Sequence, residues 1–261
     1  MVSSSQSFLY NTQETNMKKM PWILAFLSFL IPLETMAQTQ DIHALRIIVQ
    51  SFEKAKKDNK IRQDTIIANK NHLIENLSVD GKFKSKEKEA TYKIYNKKGK
   101  SVEELIGDVW PRGAEPPKSL VDFDKLLDAF LSRFYFSVSQ DEEEIDEHKH
   151  YKVHFWPKED LPIEKENTDY ILNRIAGIVY INKKTYMVRR INASLTREVK
   201  VSELFYSFYM DRLDLEINFE ERQDLGLLKK LTATARYSYR KFIGTTHRYQ
   251  THIISYKYGI K

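Results

Sequence analysis

Hydrophobic residues in the first half of the chain change from helical to strand spacing and back. After position 40, five apolar residues recur at the i, i+3, i+4 positions of one helix face: Ile42, Leu45, Ile48, Val49 and Phe52. They predict an amphipathic helix over residues 41–57, and the same spacing returns over residues 119–133. Between the two helices the period becomes two. This change predicts antiparallel strands at residues 74–79, 83–95 and 102–106.

The second half of the chain is a succession of strand patterns. Segments rich in β-branched and aromatic residues cover residues 135–139, 151–156, 177–182, 185–195, 198–209, 213–221, 231–240 and 246–258. Residues 213–220 alternate strictly between apolar and polar side chains, as in a strand with one buried and one wet face. Many strands with short connections and few helices indicate a mainly β (α+β) protein. We expect a single curved antiparallel sheet with helices packed against it.

Composition narrows the classes of protein that this chain can belong to. The 261 residues contain 41% hydrophobic and 12% aromatic residues, a balance typical of a globular protein and not of a disordered one. Cysteine is absent, which excludes a disulfide scaffold, a thiolate metal site and a cysteine nucleophile. The net charge of +6 is spread along the chain, so we expect no nucleic-acid partner.

The N-terminal region has the pattern of a secretory signal peptide. Basic residues at Lys18 and Lys19 precede an apolar run over residues 21–33, and Ala37 supplies the small residue at a cleavage site. The apolar run is too short for a typical membrane-spanning helix. We therefore expect residues 1–37 to comprise an upstream extension and a signal peptide, with Met17 as the true start. Residues 38–261 would form one exported, periplasmic domain; an uncleaved membrane anchor or a buried N-terminal helix are the alternatives.

Several short motifs resemble a known family of exported proteins. Residues 177–182 (GIVYIN), followed by residues 187–191 (MVRRI), are similar to the paired strands of the LolA/LolB-like superfamily of periplasmic lipoprotein carriers. In that superfamily Trp and Asp stand where this chain has Tyr180 and Asn182. Residues 76–82, 93–99 and 170–177 resemble uncharacterised exported bacterial proteins with the same order of elements.

The resemblance implies an open β half-barrel whose apolar concave face is covered by helices and holds acyl chains. A carrier must replace the burial that an acyl chain has in a membrane, about 0.8 kcal/mol for each CH₂ group. The candidate lipid-binding residues are the apolar side chains of the late strands: Ile191, Leu195, Leu213, Leu215, Ile217, Phe219, Tyr237 and Tyr239. The alternative for each of them is packing in a filled core between sheet and helices.

Three histidines could in principle bind a metal ion, but we expect that they do not. His148, His150 and His154 follow an acidic run and share one face of an extended strand. His148 and His154 would lie about 20 Å apart at roughly 3.3 Å per residue, too far to share an ion. A solvated hairpin tip explains the acidic run more simply. We expect no metal and no other cofactor.

The sequence favours an exported binding protein over an enzyme. It contains no Gly-rich phosphate loop, no G-x-S-x-G nucleophile elbow and no H-E-x-x-H zinc motif. The leading hypothesis is a periplasmic carrier of lipid or acylated protein that touches membrane surfaces transiently. The alternative is a β-rich module that binds another envelope protein and has no ligand cavity.

Overall fold

Twelve strands form one antiparallel sheet in the computed structural model, which describes residues 41–97, 100–113, 115, 130–158, 167–203, 206–241 and 244–260. The strands are β1 (Ile66–Leu77), β2 (Phe83–Lys97), β3 (Lys100–Trp110), β4 (Phe134–Val138), β5 (Glu143–Ile145), β6 (His148–Pro157), β7 (Ile175–Asn182), β8 (Val188–Leu195), β9 (Val199–Glu203), β10 (Tyr206–Arg222), β11 (Leu225–Lys241) and β12 (Thr245–Ile260). The described residues contain two helices, α1 (Ile42–Thr65) and α2 (Asn167–Leu172). Residues 130–133 form a further single turn of α-helix before β4.

The sheet is open. Its strand order is β3-β2-β1-β12-β11-β10-β8-β7-β6-β4, with β5 paired to β6 and β9 paired to β10. Because β3 and β4 lie at opposite ends of this order, the sheet does not close into a barrel. The prediction of a mainly β protein with one antiparallel sheet, open as in a half-barrel, is confirmed.

Helix α1 begins with an aspartate cap. One Oδ of Asp41 accepts hydrogen bonds from the backbone N–H groups of His43 and Ala44, at 2.9 and 3.1 Å, which satisfies two amides of the first turn. Its other oxygen accepts from Val138 N of β4 at 3.1 Å. Burial alone would raise the pKa of Asp41, but these three backbone hydrogen bonds bring it below its usual value. The cap therefore also fixes the start of α1 to the edge of the sheet.

A second polar contact holds the middle of α1. Asp58 is buried, and its Oδ2 accepts from Gly226 N at 3.0 Å at the start of β11. Lys54 donates to Asp58 Oδ1 at 2.6 Å and to the backbone oxygen of Asp224 at 2.8 Å. The turn between β10 and β11 is thus tied to one face of the helix.

The elements extend further than the sequence pattern indicated. Helix α1 continues to Thr65, beyond the predicted end at residue 57. The predicted break between residues 209 and 213 is wrong, because β10 runs without interruption from Tyr206 to Arg222. A register shift in its pairing with β11, between Met210 and Arg212, lies at the predicted break. The expected signal peptide and most of the second predicted helix, residues 119–129, lie outside the described residues.

Close packing of β7 against β8 requires a glycine at position 177. A Cβ added to Gly177 would lie 2.0 Å from Asn192 O and 2.8 Å from Ala193 Cα, and both are backbone atoms that cannot move aside cheaply. Gly177→Ala should therefore lower the free energy of unfolding by about 2 kcal/mol, measured by urea denaturation. Gly259→Ala is the matched control, since the nearest atom there is Ile67 O at 3.9 Å. Equal stabilities of the two variants would contradict this prediction.

Candidate functional site

The eight predicted lipid-contacting residues share one face of the sheet, the face on which α1 packs, called here the inner face. Five of them lie in or against the core that contains α1: Ile191, Leu195, Leu213, Leu215 and Tyr237. Ile217 and Phe219 lie in a second cluster on the same face. Tyr239 is two residues beyond Tyr237 on β11, and the two rings stack with centroids 6.5 Å apart. Leu213 and Ile217 are buried, and the other six are half-buried.

The larger cluster, the helix-covered core, lies between α1 and the sheet. Four residues of α1 contribute to it: Ala44, Ile47, Ile48 and Phe52. Phe130 packs among aromatic rings of the sheet, with centroid distances of 4.9 Å to Phe134 and to Phe155. Leu213 belongs to this core, so its burial is explained by helix-on-sheet packing alone.

The second cluster, the apolar patch, contains only strand residues among those that the structure describes. Its buried members are Ile217, Leu231, Ala233 and Ile254 of β10, β11 and β12. Five half-buried side chains surround them: Ile191, Leu215, Phe219, Leu228 and Tyr256. Ile191 and Leu215 also touch the helix-covered core, so the two clusters are continuous along the inner face.

Beside the apolar patch, the inner face carries polar side chains that the sequence did not indicate. This polar row consists of Lys70, His72 and Asn76 of β1, Glu87 of β2, Tyr237 of β11, and Gln250 and His252 of β12. Strand register places the row next to the patch, because His72 of β1 lies directly opposite Ile254 of β12. Burying so many polar groups costs free energy unless each is paired, so their contacts decide what the row can do.

Lys70 is 4% exposed, which is rare for a lysine. Its ammonium group forms an ion pair with Glu103 of β3 and lies 4.6 Å from the ring centroid of Tyr92. Burial raises the pKa of the Tyr92 hydroxyl, and the negative charge of Glu103 raises it further. The buried charge of Lys70 is therefore compensated by Glu103 and by the Tyr92 ring.

Two histidines of the row form a pair. His72 Nε2 and His252 Nδ1 are 3.4 Å apart, a distance at which one imidazole donates to the other. Burial, together with the smaller effects of positive charge on His252 and Lys70, lowers the pKa of His72 to about 4. Burial also lowers the pKa of His252, although Glu87 opposes that effect. Both rings are therefore neutral at pH 7.

One ring nitrogen of the pair is unused. His72 is 0% exposed, and its Nδ1 has no hydrogen-bond partner among the described residues. A buried polar atom without a partner costs about 1–3 kcal/mol, so a ligand group that supplied the missing hydrogen bond would recover that free energy. Small side chains flank the pair: Ala90 lies opposite His72 on β2, and Ala233 lies opposite His252 on β11.

Gln250 links the remaining polar side chains. It accepts from the Tyr237 hydroxyl at 2.9 Å and donates to Asn76 Oδ1 at 3.0 Å and to Glu87. Arg248 adds an ion pair with Glu87 at 3.5 Å. Burial raises the pKa of the Tyr237 hydroxyl. This half of the row is satisfied by internal hydrogen bonds and an ion pair.

The three histidines that the sequence analysis considered lie elsewhere, on β6. The expected hairpin is confirmed, with Asp146 and Glu147 at the turn between β5 and β6. His148 is exposed, whereas His150 is buried and its Nδ1 bonds to His148 O at 2.7 Å. Burial lowers the pKa of His150. Both line a cavity of about 360 Å³ that also contains Arg189, which is paired with Asp146.

No group of three or more His, Asp or Glu side chains within the described part of the chain could hold a metal ion. No helix in the described ranges combines the length and the apolar character needed to cross a bilayer.

Comparison with known proteins gives no family. No protein-family model matches the sequence, and no curated protein matches it. Two solved structures are similar: a DUF1329 family protein from Desulfovibrio piger, with 10% identity, a TM-score of 0.32, and coverage of 82% of this chain and 93% of that one; and MucB in complex with MucA(peri), with 9% identity, a TM-score of 0.25, and coverage of 81% and 94%. These TM-scores are too low to identify the fold, which is established by the strand order of the sheet.

Proposed function

We propose that this chain is a non-enzymatic, exported protein that binds acyl chains of a lipid or an acylated protein on the inner face of its sheet. The observation that carries the proposal is the apolar patch. Its described members all come from strands, unlike those of the helix-covered core. Half-buried Ile191, Leu215 and Phe219 at its margin can gain burial from a ligand.

The polar row supports the same proposal, because acyl chains end in a polar group. His72 lies directly opposite Ile254 in the β1–β12 pair, so a carboxylate or ester carbonyl would reach it once the ligand displaced the side chains that bury these two residues. A neutral imidazole can donate a hydrogen bond to such an oxygen. The apolar patch and the polar row thus match the two chemical parts of one ligand.

Export and the absence of catalysis belong to the proposal as well. The signal-peptide pattern of residues 17–37 supports a periplasmic location, where acylated molecules need carriers. The described polar row is held by internal pairs rather than arranged as a nucleophile beside a base. A transient contact with a membrane surface would then load or unload the ligand.

The test is binding of a fluorescent fatty acid to the purified protein. The wild-type protein should bind the probe, and Phe219→Gln should weaken binding about tenfold, because the side chain's apolar contact is worth more than 1.4 kcal/mol when buried. Phe83→Gln is the matched control. Phe83 is 62% exposed at the start of β2, outside the apolar patch, so its replacement should leave binding unchanged.

A wild-type protein that binds no acyl probe and carries no co-purified lipid in native mass spectrometry would refute the carrier proposal. The alternative of a module that binds an envelope protein would then become the working hypothesis.

A further inference from the structure

We propose that the cavity beside the β5–β6 hairpin binds a small aliphatic diamine, with His150 at one end of the ligand and Glu220 at the other. The cavity has a volume of about 360 Å³, within the range of small-molecule sites. Its lining residues come from the β5–β6 hairpin, the end of β7, the start of β8, the end of β10 and the start of β11. None of them belongs to the apolar patch or the polar row, so this site does not depend on the inner-face site.

Strand pairing places both ends of the proposed site on one face of the sheet. A row of paired residues crosses four strands: Lys152 of β6, Tyr180 of β7, Arg190 of β8 and Asn218 of β10. His150, Asn182 and Glu220 each lie two residues from this row on their own strands, in the same direction across the sheet, and therefore share its face. Ile191 and Ile217, one residue away from the row, face inward. The site thus lies on the face opposite to α1.

His150 supplies an unoccupied hydrogen-bond acceptor. The residue is 2% exposed, and its Nδ1 lies 2.7 Å from the backbone oxygen of His148. A carbonyl oxygen can only accept, so Nδ1 carries the proton. Burial lowers the pKa of His150, although the carbonyl groups of His148 and Glu143 oppose this shift, and the ring is neutral at pH 7 with a bare Nε2. No described residue forms a hydrogen bond with Nε2, so a ligand N–H can donate to it.

The other end of the cavity carries negative charge that is not compensated. Glu220 and Glu221 line it, and within the described ranges their side chains form neither an ion pair nor a hydrogen bond. Arg189 also lines the cavity but is already engaged, because it pairs with Asp146 and donates to the backbone oxygen of Phe219 at 2.5 Å. The remaining charge favours a positively charged ligand.

The separation of the two ends distinguishes a diamine from a metal ion. Strands β6 and β10 are three strand spacings apart in the sheet, about 14 Å between backbones, so His150 and Glu220 are too far apart to ligate one ion. A diamine can donate from one amino group to His150 Nε2 and pair through the other with Glu220. The apolar side chains of Ile145, Met187 and Val188 also line the cavity and suit the methylene groups between the two amines.

The probe is 1,4-diaminobutane, titrated into the purified protein at pH 7 by isothermal titration calorimetry. We expect binding at one site, about tenfold weaker binding of butylamine, and no binding of 1,4-butanediol. Glu220→Gln should weaken binding of the diamine about tenfold, because an ion pair becomes a neutral hydrogen bond. Glu216→Gln is the matched control: Glu216 is exposed four residues earlier on β10, outside the cavity, so its replacement should leave binding unchanged.

Nitrogen-15 NMR of the histidine rings tests the other end of the ligand without a substitution. In the free protein, His150 should show a protonated Nδ1 and a bare Nε2. Saturating diamine should move the Nε2 resonance upfield, as expected when a bare ring nitrogen accepts a hydrogen bond, whereas exposed His247 should not respond. An unmoved Nε2 resonance, or equal affinities of wild type and Glu220→Gln, would overturn the proposal. So would binding of Zn²⁺ by a protein that does not bind the diamine.

Discussion

Lowering the pH from 7 to 4 should reduce the free energy of unfolding by about 3 kcal/mol through His72 alone. Burial holds the pKa of this histidine at about 4 in the folded protein, against 6.5 as its ordinary value. One pKa unit corresponds to about 1.4 kcal/mol, and the side chain is 0% exposed, so solvent screening does not reduce the effect.

The sign follows from which state binds the proton. Below pH 6.5 the unfolded chain protonates His72, whereas the folded protein resists protonation until about pH 4. The unfolded state therefore gains stability as the pH falls through this window. His252 and Lys70 face His72 and both oppose a positive charge on it, while Glu87 acts on His252 from the neighbouring strand β2.

His72→Gln should remove most of this difference. Glutamine cannot titrate but can still donate a hydrogen bond to His252 Nδ1. In urea denaturation at a series of pH values between 7 and 4, the variant should lose less stability than the wild-type protein. His247→Gln, at an exposed position of β12, is the matched control and should retain the wild-type dependence. Parallel pH dependences of wild type and His72→Gln would contradict the prediction.

The sequence located the apolar part of the candidate site because that part follows strand alternation. Leu213, Leu215 and Ile217 alternate with charged residues, and only one face of such a strand can be buried. The register of β10 with β8 and β11 then places apolar neighbours such as Ile191 beside them. Alternation along a strand could not reveal which part of the inner face α1 covers, since that depends on where the helix packs.

The polar row was missed because its burial is a property of the assembled sheet. Residues 69–72 have the composition of a solvated segment, so the strand was predicted to begin at residue 74 instead of Ile66. Lys70 and His72 do share parity with Ile74, and this was the only signal that they face inward. Burial itself comes from β2 and β12 on either side, which no local pattern records.

The length of α1 illustrates the same limit. Its apolar periodicity fades near Lys54, and the predicted helix ended at residue 57, yet α1 continues to Thr65. Asp58 and Lys54 bind the turn between β10 and β11, about 170 residues later in the chain. Tertiary hydrogen bonds at Lys54 and Asp58 thus hold the helix at the point where hydrophobic spacing fades.

The second large effect is expected for Ile217→Asp in the apolar patch. Ile217 is 5% exposed and packs with Leu231 and Ile254. An aspartate there would be an uncompensated buried charge, and the free energy of unfolding at pH 7 should fall by about 4 kcal/mol. Acyl-probe binding should be lost as well, because a carboxylate would occupy the surface proposed to hold the chain.

The matched control introduces the same carboxylate on the other face of the sheet. Ser255 adjoins Ile254 on β12 and lies opposite Lys230 of β11, so Ser255→Asp gains a favourable cross-strand partner and should keep both stability and probe binding. Measurements at acidic pH separate the effect of the buried charge from the effect of lost packing. The difference in stability between Ile217→Asp and wild type should shrink as the pH falls towards 4, because a protonated carboxyl group costs less to bury than a carboxylate. A difference that stayed constant with pH would show that lost packing, rather than buried charge, destabilises the variant.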